Sequence, residues 1–252
     1  MKKYDLIVGF GCSFTEGGGL DNPNVYKFIN NIDDDSVGFL HPDTIKFKNE
    51  NNFIVYLSQL FNCDYLNFGE SMASNDLIFQ KIYDYFKTTK IASKRILFIG
   101  QVTMFTRQHV YYDYAKKFIK LNRTEFSEPP FYGSPEFKPL HDYYTNYLSF
   151  IYNEDIIVSN LEKNIELYDN WITRKNIDTL WVSYDGKPSQ FVESDKFIKF
   201  DGDNMGAWAE KNKLRIMDIP NCPVPDPHLN LEGHMEVANR IFNKIHSRNK
   251  IL

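Results

Sequence analysis

The chain predicts a three-layer α/β/α domain built on a parallel sheet of about five strands. Short apolar runs such as Leu6-Ile7-Val8-Gly9-Phe10 and Ile96-Leu97-Phe98-Ile99-Gly100 lack polar alternation, so they read as strands buried on both faces. Stretches with a helical repeat separate them, the pattern of strand–helix–strand units. No internal repeat or linker divides the chain. Residues 1–252 therefore read as one domain, decorated by insertions at about 16–52 and 108–140.

The elements follow in order. After the first strand, residues 16–52 are loop-like, with Gly17-Gly18-Gly19, Asn22-Pro23 and Asp33-Asp34-Asp35. That is too long for a simple connection, and the segment is expected to fold over the surface near Ser13. Phe53, Tyr56, Leu57 and Leu60 give the stripe of a helix, and Tyr65-Leu66-Asn67-Phe68 a second strand. Ser74-Asn75-Asp76 can cap a helix from about Leu77 to Phe86, with Ile78, Ile82 and Phe86 on one face. The third strand ends at Gly100. Residues 111–139 read as irregular, with Pro129-Pro130 and Gly133-Ser134-Pro135 as breakers.

A helical stretch is expected over about 140–175, broken once near Asn153-Glu154-Asp155. Thr179 to Tyr184 is the fourth strand, and Leu214-Arg215-Ile216-Met217 a short fifth. An amphipathic helix from about Leu231 closes the chain, its Val237, Ile241 and Ile245 repeating every four residues.

Composition narrows the function. An apolar content of 42% with 25% charge is that of a globular domain. Aromatic residues reach 16%, a surplus that suits a groove or an interface as well as compositional drift. A net charge of −4 gives no general attraction to nucleic acid or to anionic membranes. No run approaches the ~18–20 apolar residues of a membrane span, and no secretory signal is visible, so a cytoplasmic protein is expected. Cys12, Cys63 and Cys222 have no zinc-type spacing, and their odd number argues against a disulfide framework. The expectation is no metal and no cofactor. Asp33-Asp34-Asp35 reads as a solvated loop and Asp201-Gly202-Asp203-Asn204 as a turn, since neither has the alternating oxygens of a calcium loop.

The chemistry-bearing residues lie at the two ends of the chain. Ser13 follows the first strand in Gly11-Cys12-Ser13-Phe14-Thr15, while Asp226-Pro227-His228 precedes the last helix. Ligands of open parallel sheets bind at the carboxyl ends of the strands, which places Ser13, the Gly69 to Asn75 segment and the Gly100 to Arg107 segment along one rim. Serine needs a base to take its proton, histidine titrates in the useful range, and a carboxylate fixes the imidazole tautomer. Ser13, His228 and Asp226 supply those three roles.

Gly11 to Thr15 resembles the Gly-Asp-Ser-x-Thr block of the SGNH (GDSL-like) hydrolases, with Cys12 in place of aspartate. His228-Leu229-Asn230, with Gly233 beyond, resembles the closing block, and Asn67-Phe68-Gly69-Glu70-Ser71 the second. The blocks come in the expected order along the whole chain, although the matched motifs cover few of its residues. The resemblance implies a flavodoxin-like SGNH-hydrolase fold and a serine esterase that removes a small acyl group, such as acetyl, from a carbohydrate or other polar carrier. It implies an oxyanion hole from the backbone N–H groups of Ser13 and Met72 or Gly69. Gln101, Thr103 and Arg107 are candidate substrate contacts, and the aromatic segments Tyr111 to Tyr114 and Phe131 to Tyr144 a candidate carrier-binding wall. For Arg107 a surface ion pair is the competing reading, and His234 is expected to pack at the start of the last helix.

The pattern departs from the family in three places. The usual Asp-x-x-His spacing becomes Asp226-x-His228, and Met72 stands where the oxyanion glycine is expected. The third block reads Gly100-Gln101-Val102-Thr103, without the asparagine that donates to the oxyanion; Asn75, Gln101 or Thr103 can stand in for it, Asn75 first because an amide at the rim of the second strand can point inward. A catalytically impaired binding or structural member is therefore the alternative. The Gly-Cys-Ser-Phe-Thr variant also resembles SGNH-like proteins of bacteriophages, which implies virion association or glycan modification.

Overall fold

β1 (Leu6–Phe10) is buried along its whole length because parallel neighbours flank it on both edges: β2 (Asp64–Asn67) and β3 (Ile96–Val102). A computed structural model of the chain describes residues 3–33, 36–38, 40–89, 94–104, 106–112, 117–121, 138–184, 196–201 and 204–248. Beyond β3 come β6 (Asp178–Ser183) and the two-residue β7 (Phe197–Ile198), giving a parallel sheet in the order β2-β1-β3-β6-β7. Register is even throughout, with Phe10 opposite Gly100 and Gly100 opposite Trp181. This is the flavodoxin-like order, whose topological switch point lies between the first strand and the third.

Helices cover both faces of the sheet. Between β1 and β2 lie the short α1 (Ser13–Glu16), α2 (Pro23–Asn30), α3 (Pro42–Glu50) and α4 (Phe53–Phe61). Next comes α5 (Asn75–Thr88), capped by the Ser74 side chain as its sequence predicts. The antiparallel pair β4 (Gln108–Tyr112) and β5 (Lys117–Leu121) is followed by α6 (Lys138–Asn146) and α7 (Glu154–Thr173). The chain ends its described part with α8 (Met205–Lys211) and α9 (Leu231–Arg248).

Strand alternation sorts the two faces. Phe10 and Phe98 pack against Phe86 of α5, whereas Gly9 leaves room for Ile54 of α4, which pairs in turn with α9. A buried ledge at the foot of β6 fixes α7: Asp169 accepts from the Thr179 hydroxyl, the Trp181 indole and the Lys196 ammonium.

Three expectations need correction. Residues 16–52 are not all loop, because Asn22-Pro23 and His41-Pro42 place proline in the first turn of α2 and α3, with Asn22 and His41 side chains as caps. Residues 111–139 are not wholly irregular, since β4 and β5 form a hairpin. The helical stretch does break at Tyr152-Asn153, as expected, after a π-helical turn at Tyr147–Ile151, and Asn153 caps α7. Finally, Leu214 to Met217 is no strand of the main sheet. It makes one isolated bridge, Arg215 opposite Leu229, and then a 3₁₀ turn at Ile216–Asp218. Its backbone pairs with the loop carrying His228, while the Ile216 side chain is buried against Leu20 and Val25.

Asp34, Asp35, Gly202, Asp203, the proline breakers, Tyr114 and residues 131–137 lie outside the described residues. Among the described residues no helix is long and apolar enough to cross a membrane, and no cluster of acidic, histidine or cysteine side chains could hold a metal.

Candidate active site

Ser13 opens α1 directly after β1, at the switch point of the sheet, and is buried. Its Oγ lies 2.8 Å from His228 Nε2. His228 Nδ1 lies 2.6 Å from Asp226 Oδ1, which also accepts the His228 backbone N–H at 2.8 Å. That second bond explains the short spacing. A carboxylate that takes the N–H two residues on forms an Asx turn, and the turn swings the imidazole round onto the same oxygen. Asp-x-His closes the geometry without a further residue.

Electrostatics follow from these contacts. Burial alone would raise the Asp226 carboxyl, but the hydrogen bond and charge of His228, with its backbone N–H, outweigh it and hold the group below the usual carboxylate range. An ionised Asp226 keeps the proton on Nδ1 and the lone pair on Nε2, aimed at the Ser13 hydroxyl.

The loop bearing Asp226 and His228 is held by the misread segment. Ile216 N–H donates to His228 O at 2.8 Å, Met217 N–H to Asp226 O at 3.0 Å, and Asn230 N–H to Leu214 O at 2.8 Å. Arg215 closes this clamp with a two-pronged bond to Asp218, at 2.9 and 3.2 Å. Asn230 then accepts the Gly233 N–H at 2.8 Å, opening α9.

Two contacts escaped sequence reasoning. Phe14 stacks between Tyr184, at 3.7 Å, and the His228 ring, at 4.6 Å between centroids. Only its place inside the Gly-Cys-Ser-Phe-Thr block could have flagged it. The glycine run is the other. A Cβ at Gly18 would sit 2.9 Å from Ser13 Cβ and 3.1 Å from His228 Nε2. Gly19, at φ +83°, would bring one to 2.8 Å from Asp226 Oδ2. The loop thus lies over all three side chains, and only glycine lets it come so close.

The remaining candidates divide by burial. Gln101 is wholly buried behind the serine turn, where it accepts from the Thr15 hydroxyl and donates to Cys12 Sγ at 3.4 Å. Thr103 is also buried, its hydroxyl accepting from Arg107 Nη1 at 3.1 Å. The expectation that Gln101 and Thr103 contact substrate is therefore corrected: they brace the rim from inside. Asn75 clasps Thr103 through both backbone groups, donating at 3.1 Å and accepting at 2.8 Å, which among the described residues leaves one hydrogen of its amide uncommitted. Gly69 N–H is spent on Asn67 Oδ1 at 2.9 Å, so Gly69 is corrected as an oxyanion donor.

Met72 adopts φ +62°, the left-handed backbone that ordinarily selects glycine, at the position where a glycine was expected. Tyr144 is no wall: it is buried, with its hydroxyl donating to Thr106 O at 2.5 Å. His234 is wholly buried, and burial followed by the charge of His228 pushes it down to about 3.

No protein-family model matches the chain, and no curated protein matches it. Two solved structures are similar. One is a putative lipolytic protein of the G-D-S-L family from Desulfitobacterium hafniense DCB-2, at 14% identity and TM-score 0.40, covering 95% of this chain and 99% of that one. The other is a member of the lipolytic protein G-D-S-L family from Veillonella parvula DSM 2008, at 10% identity and TM-score 0.38, covering 94% and 96%. At those scores the likeness assigns no residue and no substrate.

Proposed function

We propose that the chain is a serine esterase in which Ser13 attacks an ester carbonyl. The observation that carries this reading is the unbroken chain of bonds from Ser13 Oγ through His228 to Asp226. As Oγ bonds to the carbonyl carbon, its proton passes to His228 Nε2, and Asp226 stabilises the imidazolium. Backbone N–H groups of Ser13 and Met72, with the spare amide hydrogen of Asn75, are the donors we assign to the oxyanion. Collapse expels the alcohol, which takes the proton from Nε2. Water, deprotonated by the same nitrogen, then releases the acid and restores Ser13. No step calls for a metal or cofactor. The ester we assign carries a small acyl group, such as acetyl, on a carbohydrate or another polar carrier.

A catalytically impaired binding protein is the second reading, and the committed Gly69 N–H and the missing third-block asparagine favour it. One assay separates the two. Wild type is expected to hydrolyse p-nitrophenyl acetate and to be labelled at Ser13 by a fluorophosphonate, with Ser13→Ala lowering kcat by about 10⁴-fold or more. Equal rates in the two proteins would remove Ser13 as nucleophile.

A further inference from the structure

We infer that the polar cavity between α5, the start of β4 and α7 is a subsite for one neutral sugar ring, the carrier side of the ester; this rests on the esterase reading. The cavity measures about 190 Å³. That is below the ~300 Å³ at which pockets for drug-sized ligands begin, and it suits a single ring.

Its lining asks for a ligand with both donors and acceptors. Arg107 Nε and Gln108 Oε1 are buried atoms with no hydrogen-bond partner among the described residues. One is a donor and the other an acceptor, and a ligand that meets both removes the cost of leaving them unpaired. Asn160 and Asn164, one helical turn apart on α7, line the same space and add an amide donor and acceptor each. Vicinal hydroxyls, which both give and take, answer that set.

Charge argues for neutrality. Asp76 lines the cavity together with Arg107, so the two formal charges offset and an anion gains little. Phe79 and Tyr147 supply the apolar surface on which a ring's C–H face can lie. The position also fits. Arg107 bonds Thr103, Asn75 clasps Thr103, and Thr103 directly follows β3, the strand beside β1, which leads into the turn bearing Ser13. The cavity and Ser13 share the carboxyl rim.

The test keeps ester chemistry out of the binding measurement. ¹⁵N-labelled Ser13→Ala protein is titrated with neutral methyl glycosides (gluco, galacto, manno and xylo) and, separately, with a methyl glucuronide. At least one neutral glycoside is expected to saturate the side-chain amide signals of Asn160, Asn164 and Gln108 at Kd of about 1–10 mM, with the glucuronide weaker. In the same background Asn160→Ala/Asn164→Ala is expected to raise that Kd about tenfold or more, the rest of the amide spectrum holding as proof of folding. No shifts at about 50 mM, shifts centred elsewhere, or tighter binding of the glucuronide would each overturn the subsite. Turnover of p-nitrophenyl acetate by wild type, which needs no sugar, then tells which idea failed: turnover without glycoside binding removes the subsite alone, and binding without turnover removes the esterase.

Discussion

At the scale of single residues, the site turns on which oxygen Asp226 offers and on how close Gly18 can come. Asp226→Asn keeps the shape but removes the charge that selects the imidazole tautomer, so kcat for p-nitrophenyl acetate is expected to fall about 10⁴-fold with KM little changed. Gly18→Ala adds one methyl within 3.1 Å of His228 Nε2. It is expected to lower kcat about tenfold or more, since small displacements of reacting groups are costly, and steady-state kinetics would show it.

His234 makes a stability prediction. Its folded value of about 3 lies below the ordinary 6.5, so the unfolded chain binds the proton first. Its contribution is intact above pH 6.5 and is lost as pH falls toward 3, by about 1.4 kcal/mol per unit. His234→Leu is expected to flatten that acid slope in urea titrations at pH 7, 6 and 5. An unchanged slope would show that His234 is not what titrates.

At the scale of elements, the glycine and proline signals were read correctly as punctuation but not as placement. Asn22-Pro23 announces a loop and a helix start equally well, and α2 and α3 decide between them by packing. Lys48 of α3 reaches Glu16 of α1 at 2.7 Å and Asp21 at 3.0 Å. Burial would lower its ammonium, but these two carboxylates outweigh that and raise it, so the latch is intact at neutral pH and lost only as strongly alkaline pH passes the raised value. Lys48→Ala is expected to cost about 1–2 kcal/mol in urea melts, the pair being partly screened by solvent. A change below a few tenths would show that the latch is ornamental.

Leu214 to Met217 teaches the complementary lesson. A short apolar run reports that a segment is partly buried, not which backbone it pairs with, and here that partner is the loop bearing Asp226 and His228. Phe14 and Tyr184 were illegible for a related reason. Their contact crosses the sheet rim between distant segments, and no local pattern encodes it.

At the scale of the whole molecule, fold class was the most legible property. Solidly apolar strands admit little besides a sheet covered on both faces, and β1, β3 and β6 have that character. The order of strands places the β1–β3 crevice where such sheets bind ligands, and Ser13 follows β1 there. The brace of Gln101 against Cys12 and Thr15 shows how a position that departs from a familiar motif can be absorbed into the interior instead of the site.

Ser13 and His228 stand 215 positions apart along the chain. More than two hundred further residues must therefore leave the ribosome before the hydroxyl can meet the imidazole. On the esterase reading the serine is until then an ordinary alcohol, and assembly of the tertiary structure is itself the step that arms it.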